Sequence, residues 1–209
     1  VIVNVRGPSG SGKSWVGFQL FEKYGPWEER RDASYFTRDG VPRRTGKITH
    51  HHSKTVPGLA LAGRYVMKTS TIAGVGVGYS GGVDGYMPME DLTRMVDDLA
   101  NEYEHVYLEG LLVSSTYARW HDFALRYPGR VAFVTLETPL VECLARVQAR
   151  NKGTPVREDQ IVKHRNQVLR NADWFDRDAA SGEPIRAFRA GSSGEALRVT
   201  EWLFGLREV

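Results

Sequence analysis

Residues 6–15 read "RGPSGSGKSW" and follow the short β-branched run "VIVNV" (1–5). Within them, Gly7-Pro8-Ser9-Gly10-Ser11-Gly12-Lys13-Ser14 satisfies G-x-x-x-x-G-K-[ST] at every fixed position. That pattern carries meaning only between a strand and a helix, and both are present. "KSWVGFQLFEKYG" (13–25) repeats Trp15, Val16, Phe18, Leu20 and Phe21 at helical spacing before Gly25-Pro26 ends it. A strand, a glycine-rich turn and a helix in this order make a phosphate cradle. The glycines let successive backbone amides turn inward, and the helix N-terminus adds partial positive charge. Lys13 is expected to reach the β and γ phosphates, and Ser14 to offer its hydroxyl to a metal. The expected nucleotide-binding set is Gly7, Ser9, Gly10, Ser11, Gly12, Lys13 and Ser14, with ATP as cofactor and Mg²⁺ at Ser14.

Outward from the loop, strands and helices alternate. "MEDLTRMVDDLANEY" (89–103) puts Leu92, Met95, Val96, Leu99 and Tyr103 on one face, with acidic residues in its first turn. "HVYLEGLLVS" (105–114) reads as a buried strand ending in Glu109-Gly110. "RVAFVTLET" (130–138) is a strand, and "LVECLARVQAR" (140–150) a helix with Leu140, Leu144 and Val147 inward. A charged helix is expected over about 157–172, then a strand in "PIRAFRAG" (184–191) and a helix in "SSGEALRVTEWLFGL" (192–206) capped by Ser192 or Ser193. The alternation predicts an α/β protein with a mainly parallel sheet and helices on both faces, a single domain over 1–209.

The 209 residues are 41% hydrophobic and 25% charged, which suits one globular core and excludes a disordered chain. No apolar run approaches a membrane span. The single Cys143 cannot form an internal disulfide and reads as a small apolar filler. With no leader pattern ahead of the first strand, the expected compartment is the cytoplasm. A net charge of +3 is too small to identify a nucleic-acid binder, but its distribution is uneven. From 27 to 86 helical periodicity fades, apart from short strand-like runs in "RYVMKTST" and "GVGVGYS". Arg30, Arg31, Arg38, Arg43, Arg44, Lys47, Lys54, Arg64 and Lys68 fall here among Trp27, Tyr35, Phe36 and Tyr65. This segment is expected to be an inserted acceptor lobe, suited to a phosphate backbone and stacked bases or equally to a solvated surface. His50-His51-His52 lacks flanking cysteines or carboxylates for a metal and is expected in an exposed or phosphate-contacting loop.

"VYLEG", "VTLETP" and "CLARVQAR", together with the glycine-rich loop, resemble the nucleotide-kinase branch of P-loop proteins: nucleoside monophosphate kinases, uridine-kinase-like enzymes and related phage kinases. "GYSGGVDGY" (78–86) is similar to a segment of phage P-loop kinases that phosphorylate 5-hydroxymethyluracil within DNA. The resemblance covers residues 1–24 and 105–206. It implies a three-layer P-loop NTPase fold, an ATP-dependent kinase, and a lid at about 146–170 whose arginines neutralise the transferring phosphoryl group. Arg146 and Arg150 share a helix face, with Arg157 and Arg165 as further candidates. An alcohol acceptor also benefits from a carboxylate that orients or takes its proton, and Asp84 and Glu109 are the candidates for that role or for holding Mg²⁺ through water, although "VDG" also suits a simple turn. The loop "AGSSGEA" resembles those that pack on adenine. The expected acceptor is a nucleotide-type group, with preference for a modified pyrimidine in phage DNA inside the host cytoplasm. A free deoxynucleoside monophosphate as acceptor, and a nucleotide-binding regulator or NTP hydrolase, are the competing readings.

Overall fold

The computed structural model describes residues 1–32, 37–38, 41–42, 47–68, 78–83, 88–151 and 155–206; for 37–38, 41–42, 66–68 and 78–80 it describes the backbone. In chain order the elements are β1 (Ile2–Arg6), α1 (Lys13–Lys23), β2 (Trp27–Arg30), β3 (Thr37–Arg38), β4 (Val41–Pro42), β5 (His50–Ser53), β6 (Leu59–Ala62), β7 (Val66–Lys68), β8 (Gly78–Ser80), α2 (Met89–Glu102), β9 (His105–Glu109), α3 (Leu111–Ser115), α4 (Ala118–Arg126), β10 (Val131–Leu136), α5 (Leu140–Arg150), α6 (Glu158–Ala180), β11 (Arg186–Ala190) and α7 (Ser193–Leu203). The main sheet runs β11-β10-β1-β9-β6-β5-β2. Its first five strands are parallel, and β5 and β2 continue it antiparallel. β3 with β4, and β7 with β8, form two small antiparallel ribbons.

The central strands are apolar on both faces because helices cover both. Val3, Val5, Tyr107, Ala132 and Val134 pack with Val16, Phe18 and Leu20 of α1 and Ala196 and Leu203 of α7. The alternate positions Ile2, Val106, Leu108, Val131 and Phe133 pack with α2, α4 and α6 through Leu92, Met95, Trp120, Phe123 and Phe175. The Phe133 and Phe175 rings stack with centroids 3.7 Å apart. The result is the expected three-layer α/β fold of the P-loop NTPase kind. No helix among the described residues is long and apolar enough to cross a membrane.

The structure adds to the sequence reading in three places. β2, β5 and β6, all within the expected inserted segment, extend the main sheet, and β6 pairs parallel with β9 at Leu59↔His105 through Leu61↔Tyr107. The short helices α3 and α4 occupy the connection between β9 and β10, and α6 runs eight residues beyond the expected end, to Ala180.

The histidine run is the clearest correction, because it is a sheet strand. His51 is 1% exposed, accepts the Tyr65 backbone N–H at 3.2 Å through Nε2 and meets Phe21 edge-on at 5.1 Å. His50 faces the opposite side, with Nε2 and Tyr103 Oη 3.2 Å apart. Pairing on both edges satisfies the backbone, so these rings serve as half-polar core side chains. Burial lowers both imidazole pKa values from 6.5 to about 4. The folded protein therefore keeps both neutral where the unfolded chain takes up protons, and stability is lost as pH falls from about 6.5 towards 4. The expected loss is on the order of 3 kcal/mol per histidine. Urea denaturation at stepped pH should show it, and His51→Gln should remove about half of the slope.

Candidate active site

The glycine-rich loop leaves the C-terminal end of β1, the edge of a parallel sheet where ligands bind in open α/β folds. Its conformation depends on glycine at two points. Gly10 has φ 81° and Gly12 has φ 100°, a left-handed region that side chains disfavour. A Cβ on Gly10 would overlap the Cys143 carbonyl of α5, and one on Gly12 would press on Ser193 of α7. The loop thus lies against two helices. Thr138, from the β10–α5 connection, donates its hydroxyl to the Ser11 carbonyl at 2.9 Å. Ser192 caps α7 by accepting from Glu195 N at 3.2 Å, while the Glu195 carboxylate accepts from Gly191 N at 2.8 Å, so "AGSSGEA" abuts the loop as a capped helix start.

A cleft of about 340 Å³ opens above this loop. Ser9, Gly10, Gly12, Lys13 and Ser14 form one wall; Glu109, Leu111, Trp15, Arg146 and Arg150 complete it. Lys13 is 7% exposed and donates to the carbonyls of Gly7 at 2.8 Å and Pro8 at 3.0 Å. Glu109, at the end of β9, is 1% exposed. Gly82 has no room for a side chain because the Glu109 carboxylate lies against it, and Val83 N donates to the Glu109 carbonyl at 3.2 Å. Arg146 donates from Nη1 to Gly10 O at 3.2 Å and from Nη2 to Glu142 at 2.8 Å. The i, i+4 pair with Glu142 is half-exposed and contributes only a few tenths of a kcal/mol; its effect is to aim the guanidinium at the loop.

Of the residues expected from sequence, the cleft therefore gathers Ser9, Gly10, Gly12, Lys13, Ser14, Glu109, Arg146 and Arg150. Gly7 and Ser11 lie behind it as loop backbone. Arg157 and Arg165 are not among its lining residues; Arg157 pairs with Asp159 at 3.6 Å. Asp84 lies outside the described residues. Cys143 is fully buried, and burial raises its thiol pKa. Sequence reading took Trp15 for a core-facing helix position and passed over Leu111, and neither carries a spacing that marks a cleft. Arg6 was also unsignalled. It is fully buried one residue before Gly7, donates to the carbonyls of Ser114 at 2.6 Å and Thr116 at 2.8 Å, and lies 4.9 Å over the Phe175 ring. Burial lowers its pKa to about 9, which leaves it cationic at neutral pH behind the glycine-rich loop. The Ser14 hydroxyl and Glu109 carboxylate give the cleft an oxygen donor set, the chemistry a hard divalent cation takes.

No protein-family model matches the chain. It is similar to a protein of Pseudomonas phage M6 named 5-hmdU DNA kinase, 28% identical over 216 residues that cover 99% of this chain and 94% of that protein. It is also similar to a protein of Bacillus phage SP10 with the same name, 28% identical over 187 residues covering 86% of this chain and 25% of that longer protein.

Gly10→Ala and Gly129→Ala should separate backbone strain from the contact with α5. Gly129 has φ 73° and open space around its Cβ position, so its substitution should cost only the left-handed strain of about 1–2 kcal/mol. Gly10→Ala should cost more than this by on the order of 1 kcal/mol. Equal losses in urea denaturation would show that α5 yields freely.

Proposed function

We propose that this chain, similar over its whole length to a phage kinase, is an ATP-dependent phosphotransferase that moves the γ-phosphoryl group to the hydroxymethyl group of 5-hydroxymethyluracil in DNA. The observation that carries the reading is one cleft holding a phosphate loop, a buried carboxylate and two arginines. The names of the two relatives support modified DNA over a free nucleotide.

In this reading the loop amides and Lys13 hold the β and γ phosphates, with the helix N-terminus adding field. Ser14 would hold magnesium, which would supply charge neutralisation to the phosphates. Glu109 orients the acceptor hydroxyl and takes its proton as that oxygen bonds to the γ-phosphorus and the bond to the ADP oxygen breaks. Arg146 and Arg150, one helical turn apart, stabilise the charge spread over the equatorial oxygens. The segment 27–86 receives the DNA, its basic residues meeting phosphates.

The test is incubation with γ-labelled ATP and, separately, hydroxymethyluracil-containing DNA, ordinary DNA and mononucleotides. Label is expected in the modified DNA, and its rate should fall steeply with salt because phosphate contacts release counterions. Label in mononucleotides with weak salt dependence would replace the acceptor, and free phosphate alone would end the kinase reading. Lys13→Ala should abolish transfer while the far-UV spectrum stays native. Glu109→Gln should lower turnover by about 10²-fold or more with ATP affinity nearly unchanged, and an unchanged rate would make Glu109 structural.

A further inference from the structure

Both ends of the phosphate loop are held by hydroxyl groups from one neighbouring unit, β9 through α3, and Glu109 lies between them in that unit. Where the loop enters α1, Tyr107, wholly buried, donates Oη to the Lys13 carbonyl at 3.1 Å. Where the loop leaves β1, Ser114 Oγ accepts from Gly7 N at 3.1 Å and donates to Gly110 O, immediately after Glu109, at 2.6 Å. β1 and β9 are adjacent, with Val5 paired to Glu109. α3 is itself fixed from behind, since Arg6 and Asn171 donate to Ser114 O at 2.6 and 3.3 Å, and Gln167 to Ser115 O at 2.7 Å. The ties at Tyr107, Ser114 and Arg6 are buried, where an unmade bond costs more than an exposed one.

We propose that Tyr107 and Ser114 are positioning residues that fix the register between the phosphate-donating loop and Glu109, so that the donor phosphorus and the acceptor hydroxyl meet in line. This rests on the kinase reading above. Neither hydroxyl lines the cleft; each acts through the backbone it holds. A misplacement of about 1 Å at a transfer site costs up to 10²-fold in rate without touching ground-state binding.

The experiment compares Tyr107→Phe, Ser114→Ala and the double variant in the full chain. It measures Mg-ATP affinity by calorimetry, transfer to hydroxymethyluracil-containing DNA, and release of free phosphate without an acceptor. Transfer should fall about tenfold in each single variant while ATP affinity stays within about twofold, so the ratio of transfer to hydrolysis drops. The double variant should lose less than the product of the two, because both ties hold one loop. An unchanged ratio, or a loss of affinity matching the loss of transfer, overturns the proposal and leaves the kinase reading standing. An unsubstituted protein that hydrolyses ATP but labels no acceptor overturns both. Should Ser114→Ala unfold, Tyr107→Phe decides alone, since it removes one oxygen and keeps the ring.

Discussion

The glycine-rich loop has no space for side chains at its turns, and the rest of the cleft depends on that squeeze. Gly10 lies against the backbone of α5 and Gly12 against the first residue of α7. Because the loop leans on α5, Arg146 and Arg150 on that helix reach the cleft and Arg146 bonds the loop carbonyl of Gly10. Because it leans on α7, the Ser192–Glu195 cap that starts α7 is packed beside the loop. A larger residue at Gly10 would press on α5, the helix that carries the arginines, and one at Gly12 would press on the start of α7.

The opposite wall follows from strand order. β1 and β9 are parallel neighbours, so their C-terminal ends deliver the loop and Glu109 to the same edge of the sheet, where no strand backbone separates them. Glu109 is nearly inaccessible and Lys13 almost as much so. In such a setting charges are poorly screened by water, and every polar group commits the fold to a particular partner. Asn4 and Arg6, on β1 itself, keep buried polar atoms without hydrogen-bond partners among the described residues.

The far side of the sheet shows how context can reverse a polar sequence. Three consecutive histidines make a strand because β2 and β6 pair with both of its edges and because Phe21, Tyr65 and Tyr103 offer aromatic faces to the rings. Burial then keeps two of them neutral, which makes them compatible with a core and sensitive to acid.

The loop, its flanking strand and helix, and the alternation after residue 88 were legible in the sequence because local chemistry alone dictates them: glycines where φ must be positive, β-branched runs, helical spacing and a Ser-x-x-Glu cap. Lys13 and Glu109 were legible because they stand at a helix start and a strand end that periodicity marks, and Arg146 and Arg150 because their spacing puts them on one face of α5. β6 was not, since "LALA" between Gly58 and Gly63 has no β-branched residue and becomes a strand only by being buried between β9 and β5. Nor were Trp15, Leu111, Arg6, Tyr107 and Ser114 legible as parts of the site. Their contacts join residues up to 110 positions apart, and no spacing along the chain records which distant backbone group a side chain meets once the sheet has ordered its strands.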